Sequence, residues 1–431
     1  MYNVRLMLVL RRFAAVALLL MSGTGLAQDL LLLEDPQEAF KTRFALIEAE
    51  NKSIRLSTYI LKDDLVSVQF LESLVRAARR GVDVKLLVDG QGSKEAFSPK
   101  QLELLEALKA SGGDIRIFHP MGATNLVLRP FNFARRMHDK LLIGSEVMFV
   151  GDRNIADEYF GLGEYGERNF FSSEVLVGKE DTVRTSTQYF DKLFDSDHVE
   201  SYLPTIGERS SELSLPTADR AQATAFMKNQ THRFKKADIR FLHDPRDEFV
   251  RGKIPVPHKD SNYNRLLKMI KDSKSSIEIV NSYVFLEKEI FDALKDAVKR
   301  GVKVEILTNS YKTSDVKLVA NIFATQVPLI KKAGISILEF QGEESLHSKL
   351  MLVDGSKAYV GSFNLDPRSR ALNTETGVYI TNAPEFIADL RGHMDKAKAQ
   401  SGVWKGRTRV FTEKCSLLLI KLFRPILSEQ I

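Results

Sequence analysis

The chain has 431 residues, 44% hydrophobic and 27% charged, enough apolar material for a sizeable core, which excludes general disorder. Its length suits two to three domains or one large pseudo-symmetric body, and a net charge of +6 suits an anionic substrate or a membrane surface. The single cysteine, Cys415, excludes an internal disulfide and Cys-ligated zinc.

In chain order, residues 1–27 come first. Arg5, Arg11 and Arg12 precede the apolar run Phe13 to Met21, and small residues lead to Gly25-Leu26-Ala27. This order predicts a secretory signal peptide with cleavage after Ala27, hence an exported protein; the alternative is an uncleaved anchor extended by Leu6 to Leu10. The apolar run is too short to span a bilayer, and no cysteine near Ala27 could carry a lipoprotein anchor.

The next elements form a repeat. Ile54-Arg-Leu-Ser-Thr-Tyr59 reads as a strand, followed by a helical stretch that stops at Gly81 and a second strand from Val82 to Val88. Ile277 to Tyr283, a helical stretch that stops at Gly301, and the strand from Val302 to Leu307 repeat that plan. Further strands follow at Ile115 to Phe118 and Ile335 to Phe340. Strands alternating with helices of this length predict βαβ crossovers and an α/β fold with mixed, largely parallel sheets.

Both repeats then run into one polar signature. The first is His138-Asp-Lys140, with Gly151 and Asn154 downstream; the second is His347-Ser-Lys349, with Asp354, Gly361 and Asn364 downstream. The two histidines lie 209 residues apart, and no other histidine has a lysine two residues later. At the start of an alternating strand, His and Lys project from the same face. Either His-x-Lys alone is an ordinary surface or core-edge pair. Duplicated with matching Gly and Asn, the two point to one site shared between two halves.

At these residues the sequence resembles the phospholipase D superfamily, whose doubled His-x-Lys-x4-Asp motif it carries with one defect, and within it the bacterial cardiolipin synthase C-type branch. The strings that carry the second resemblance are Arg135-Arg-Met-His138, Asn154 to Phe160, Thr308-Asn-Ser310 with Asp315-Val316, and Gly361 to Ser369 running on to Asn373-Thr-Glu375. The resemblance implies two pseudo-symmetric halves with one active site at their interface: residues 28–206, a connecting segment 207–240, and residues 241–431. It implies a phospholipase D or phosphatidyltransferase acting on a membrane phospholipid, with water or a lipid alcohol as acceptor, peripheral contact with the membrane, and no metal or other cofactor.

Metal-free phosphodiester chemistry suits the residues. One imidazole attacks phosphorus while the other protonates the leaving alcohol and then deprotonates the acceptor. Lys140, Lys349, Asn154 and Asn364 can hold the non-bridging oxygens, and a carboxylate on each far ring nitrogen would fix the tautomers. The resemblance points to His138 as nucleophile, His347 as acid/base and Glu375 as the acid after the second motif, with Asp354 as structural support. In the first half Ser172 aligns with Glu375, and Glu174, two residues on, is the supporting carboxylate on offer.

The first motif departs from the pattern. His138 to Asn154 spans 16 residues against 17 for His347 to Asn364; Gly144-Ser145 stands where the family has aspartate, and Asp152 stands where Ser362 stands in the second copy. That aspartate is regarded as a brace for the strand, so the enzyme reading is kept, with a first half serving only as scaffold as the alternative. Arg129, Arg135 and Arg136 could meet lipid phosphates or form a solvated basic loop. The segment from Cys415 to Leu427 is apolar with Lys421 and Arg424 interspersed, and suits an interfacial helix or a core segment. Two competing classes remain: a nuclease of the same superfamily, disfavoured because no basic–aromatic run flanks the site, and a non-enzymatic lipid-binding protein with a degenerate first motif.

Overall fold

A computed structural model describes residues 28–93, 97–120, 135–163, 168–202, 213–244 and 261–405, so the leader, Arg129 and the apolar C-terminal segment lie outside the described residues. The first half runs β1 (Gln28–Leu33), α1 (Pro36–Ala49), β2 (Ser53–Thr58), α2 (Leu65–Arg79), β3 (Asp83–Asp89), α3 (Pro99–Ala110), β4 (Asp114–Phe118), β5 (Leu141–Ile143), β6 (Met148–Gly151), β7 (Phe170–Phe171), β8 (Glu174–Gly178), α4 (Glu180–Phe194), β9 (Val199–Ser201) and α5 (Arg220–His232). The second half has the same plan. It runs β10 (Lys235–His243), α6 (Asn262–Asp272), β11 (Ser276–Asn281), α7 (Lys288–Lys299), β12 (Lys303–Asn309), α8 (Lys317–Lys332), β13 (Ser336–Phe340), β14 (Ser345–Leu346), β15 (Lys349–Val353), β16 (Lys357–Gly361), α9 (Pro367–Ala371), β17 (Thr376–Thr381), α10 (Pro384–Ala399) and β18 (Ser401–Val403).

The two halves share one 16-stranded sheet, ordered β18-β13-β12-β11-β15-β16-β17-β10-β1-β8-β6-β5-β2-β3-β4-β9. The order reads the same from both edges, with a pseudo-twofold between β10 and β1, which pair antiparallel through Gln28↔Ala237 to Leu30↔Lys235. Parallel pairing inside this sheet is confined to β2-β3-β4 and β11-β12-β13, the strands joined by helical crossovers. The expectation of largely parallel sheets therefore holds for those units alone. The remaining ladders are antiparallel, because short loops rather than helices join β5 to β6 and β15 to β16. The segment expected to connect the halves supplies α5, which buries Met227 in the first half's core, and most of β10.

Alternation along the strands builds a three-layer body. Leu30 and Leu32 of β1 join a central cluster with Phe190 and Phe194 of α4 and Phe386 and Leu390 of α10. Leu31 and Leu33 face the other way, into a cluster with Phe70 and Leu74 of α2 and Leu104 of α3. Leu266, Leu294 and Val327 of α6, α7 and α8 cover the corresponding face of the second half. The central cluster spans both halves, so neither sheet half is closed without the other. The helix ends follow the signals in the sequence. The Asp64 carboxylate accepts from Ser67 N at 3.0 Å to cap α2, and Gly81 and Gly301, both at φ +86°, end α2 and α7 in the left-handed conformation that glycine adopts without strain. Among the described residues no helix is long and apolar enough to cross a membrane.

The missing aspartate of the first motif has a physical substitute. In the second half Asp354 accepts from the backbone amides of Lys274, Ser275 and Ser276 at 2.7–3.2 Å, tying the turn before β11 to the end of β15. In the first half Glu50, the residue that ends α1, accepts from Asn51 N at 2.7 Å and Lys52 N at 2.8 Å, and reaches across to Ser145 N at 2.8 Å. The carboxylate is on the opposite side of the turn, and the brace is the same. Burial pushes the Glu50 pKa up, but the amides of Ser145, Lys52 and Asn51 outweigh it and hold the carboxyl below its ordinary range. Glu50→Ala should lower stability by about 2–3 kcal/mol, the scale of hydrogen bonds to a charged group, and leave turnover per folded molecule within about twofold. Thermal melts alongside initial rates check this; a large loss of rate with an unchanged melt would contradict it.

Candidate active site

The two His-x-Lys motifs meet across the centre of the sheet, and each histidine is held by the other half. His138 N lies 3.2 Å from Thr374 O, and its Nδ1 faces Glu375, 3.0 Å from Oε1 and 2.9 Å from Oε2. Glu375 is fixed in turn by Ser362 Oγ at 2.5 Å and Ser369 Oγ at 2.7 Å. His347 N bonds Phe171 O at 2.9 Å, beside the short parallel ladder of β7 with β14. Its Nδ1 faces Asp152 Oδ1 at 3.5 Å. A carboxylate behind Nδ1 favours the tautomer whose Nε2 carries the lone pair, so both rings turn a basic nitrogen away from their acids.

Sequence reasoning placed His138, Lys140, His347, Lys349, Asn154, Asn364 and Glu375 together, and the structure brings them together. Its candidate support for the first half, Glu174, is elsewhere: this fully buried carboxylate pairs with Arg43, whose Nε lies 2.9 Å away, and lies 3.7 Å from Arg153 Nε. It opens β8 inside this buried ion pair, so the reading two residues beyond Ser172 landed on a core carboxylate with no bond to either histidine. The carboxylate that sequence reasoning missed is Asp152; its only signal was that it stands where Ser362 stands in the second copy. Arg136 is also corrected: it is 1% exposed and 3.5 Å from Asp89, a buried pair rather than part of a solvated loop.

The lysines lie along the strands with their histidines. Lys140 Nζ donates to His138 O at 2.7 Å, and Lys349 Nζ to His347 O at 2.6 Å, with His347 Nε2 3.0 Å away. Asn154 donates to the Tyr159 hydroxyl at 2.8 Å, and Asn364 accepts from Ser282 Oγ at 3.1 Å. Ring edges wall the site: Tyr59 stands 5.3 Å from the His138 ring, and Tyr159 and Phe170 each 5.1 Å from His347. Gly151 and Gly361 are required where β6 and β16 cross close to β8 and β17. A Cβ there would lie 2.5 Å from Glu174 Cβ or 2.6 Å from Thr376 O.

Burial dominates the electrostatics of the site. It pushes His138 well below the ordinary imidazole range, and the charges of Lys140, Lys349 and His347 push the same way. Burial and then Lys349 lower His347 to about 4. Lys140 is lowered to about 7 and Lys349 to about 8, again chiefly by burial. Burial raises Glu375 to about 7, against the pull of Lys140 and its hydroxyl donors. Every charge here is penalised by desolvation, and a bound phosphate anion would favour the protonated form of each base. Among the described residues no group of three or more His, Cys, Asp or Glu could hold a metal ion.

The family model described as "Cardiolipin synthase, PLD-like domain" matches residues 44–197 and 266–398, more than half of the chain and both motifs. The chain belongs to this family. It is an enzyme of the phospholipase D type, a phosphatidyltransferase. Among similar curated proteins are cardiolipin synthase C of Escherichia coli, 28% identical over 445 residues that cover 90% of this chain and 88% of that one, and an uncharacterised protein of Helicobacter pylori, 28% identical with 84% and 77% covered. A cardiolipin synthase of Geobacillus kaustophilus is 29% identical, covering 85% of this chain and 67% of its own. The solved phosphatidylserine synthase of Haemophilus influenzae superposes with a TM-score of 0.68 at 14% identity, over 94% of this chain and 96% of that one, and shows the same fold.

Two outcomes follow from this geometry. Nitrogen NMR of the ligand-free enzyme should find the His347 ring neutral down to about pH 4. Vanadate binding should raise that midpoint, because an anion stabilises the imidazolium; a midpoint near 6.5 in the free enzyme would contradict the burial. Glu174→Gln should melt earlier, since breaking a buried ion pair costs about 3–5 kcal/mol, while folded molecules keep their rate.

Proposed function

We propose that this enzyme moves a phosphatidyl group from a membrane phospholipid to an alcohol through a phosphohistidine on His138, as a cardiolipin synthase-like phosphatidyltransferase, with hydrolysis to phosphatidic acid when water is the acceptor. The observation that carries this reading is the pair of buried histidines, each with Nδ1 turned to a carboxylate of the opposite half, above two lysines. His138 Nε2 attacks phosphorus, the bond to the leaving alcohol breaks, and His347 gives that alcohol its proton. The acceptor then attacks phosphorus while His347 takes its proton, the phosphorus–nitrogen bond breaks, and both rings return to their starting state. Lys140 and Lys349, with Asn154 and Asn364, stabilise the oxygens that carry charge in the transition state. The closer carboxylate belongs to His138, at 2.9 Å against 3.5 Å for His347, which supports His138 as the nucleophile.

The substrate is a lipid in this reading, and the surface supports contact with a bilayer. Among the described residues six large apolar side chains are more than a third exposed. Four of them, Leu65, Leu162, Val316 and Leu318, lie at the N-terminal ends of α2 and α8 and beside the turn after Asp157–Tyr159, the edge of the sheet that bears the site. With the leader read in the sequence, the enzyme would be exported and peripheral to a membrane.

Incubation with labelled phosphatidylglycerol, phosphatidylethanolamine and phosphatidylcholine, with glycerol or ethanol added, and mass spectrometry of the products tests the reaction. Transphosphatidylated lipid is expected. His138→Ala and His347→Ala should each leave less than about a hundredth of the rate, since general acid–base and nucleophilic roles contribute 10²-fold or more. A chelator should leave the rate unchanged, because the lysines supply the positive charge; full loss restored by one divalent ion would refute the two-histidine route.

A further inference from the structure

The two histidines are related by the pseudo-twofold, but the acids behind them do not occupy equivalent positions. The ladder of β6 with β8 sets Gly151 opposite Glu174, and that of β16 with β17 sets Gly361 opposite Gly377. Position 152 is therefore the counterpart of 362, and 172 the counterpart of 375. The backbone agrees: His138 N takes the carbonyl of Thr374, just before Glu375, and His347 N takes the carbonyl of Phe171, just before Ser172. In the second half the strand-end position carries a hydroxyl, Ser362, and the following strand carries the acid, Glu375. In the first half the strand-end position carries the acid, Asp152, and the following strand carries a hydroxyl, Ser172. The buried Ser172 Oγ has no hydrogen-bond partner among the described residues. It occupies the position that Glu375 holds in the second half.

We propose that acid and hydroxyl have exchanged places in the first half, and that Asp152 is the positioning residue that orients His347 in place of a carboxylate at position 172. This rests on the two-histidine reading above. Asp152 is built for the role. Its Oδ2 accepts from Ser173 N at 3.0 Å and Ser173 Oγ at 3.2 Å, which aims Oδ1 at His347 Nδ1. Ser173 Oγ is backed by Ser348 Oγ at 3.2 Å, within the second motif itself. Burial pushes Asp152 up, but the hydrogen bond with His347 and the charges of His347 and Lys349 outweigh it and hold the carboxyl below its usual range. An ionised acid there keeps the His347 proton on Nδ1 and steadies the imidazolium that forms during turnover.

The test is a transposition. Asp152→Ser should reduce kcat by about 10²- to 10⁴-fold, the span known for losing an orienting carboxylate or an acid–base group. Asp152→Ser combined with Ser172→Glu should recover the rate to within about tenfold of the natural enzyme, and it gives the first half the second half's arrangement. Nitrogen NMR of the His347 ring is read in parallel and does not depend on activity. The proton should sit on Nδ1 in the natural protein, shift toward Nε2 in Asp152→Ser and return to Nδ1 in the double variant. An unchanged ring spectrum in Asp152→Ser overturns the proposal, as does a well-folded double variant whose ring proton is not restored. His347→Ala with retained turnover would instead refute the reaction scheme, while the ring spectra would still decide what Asp152 does.

Discussion

The structure depends on one reciprocal arrangement: each motif histidine is supplied by one half and held by the other. Glu375 grips His138, Asp152 faces His347, and the carbonyls of Thr374 and Phe171 fix the two backbones. Such crossed support requires the halves to keep a fixed register, and the β1–β10 ladder with the shared core beneath it supplies that register. The rigid continuous sheet is thus a consequence of the chemistry. A pair of halves free to hinge at β1–β10 could not hold a carboxylate within hydrogen-bond reach of the opposite ring, and orientation errors of an ångström are costly at reacting centres.

The same geometry explains how the first half diverged from the second without losing the site. At the turn before β2 and again behind His347, a carboxylate has moved to the far side of the contact it makes. Glu50 replaces the aspartate that Asp354 provides in the second half, reaching Ser145 from the helix end. Asp152 faces His347 from just past the end of β6, whereas Glu375 faces His138 from just before β17. What each place requires is a negative oxygen at the end of a short bond, and the physics is indifferent to which strand carries it. Motif matching by position is not indifferent, so the first half looked damaged in sequence while its contacts are complete.

This accounts for what the sequence disclosed. The βαβ repeat, the helix stops at Gly81 and Gly301 and the convergence of the two His-x-Lys pairs were legible, because local periodicity and duplication carry them. Glu375 was legible as the acid after the second motif, since the repeat and the family pattern place it there; that it holds the first half's His138 was not. Glu174 was misassigned because it is the carboxylate next along the chain from Ser172, the position that aligns with Glu375, and proximity in sequence does not set what a side chain touches. Here β8 begins at Glu174, and the side chain enters the core beside Arg43 and Arg153. The single continuous sheet was not legible either. The pairing of β1 with β10 joins segments more than 200 residues apart, and nothing in either strand's alternation names its partner.

The buried charges show why such a site waits for an anion. His138, His347, Lys140 and Lys349 are all held toward their neutral forms by desolvation, and Glu375 toward its protonated form. Neutralising these groups lowers the cost of burying them. In the proposed reaction a phosphodiester between the two motifs supplies counter-charge, which favours the charged lysines and the imidazolium that acts as the acid. In the proposed reaction the other imidazole stays neutral to attack, and the two rings differ in how closely their carboxylates approach: Glu375 offers both oxygens to His138 at 2.9 and 3.0 Å, Asp152 one to His347 at 3.5 Å. That inequality between otherwise symmetric halves suits the two distinct roles that the proposed reaction gives the rings.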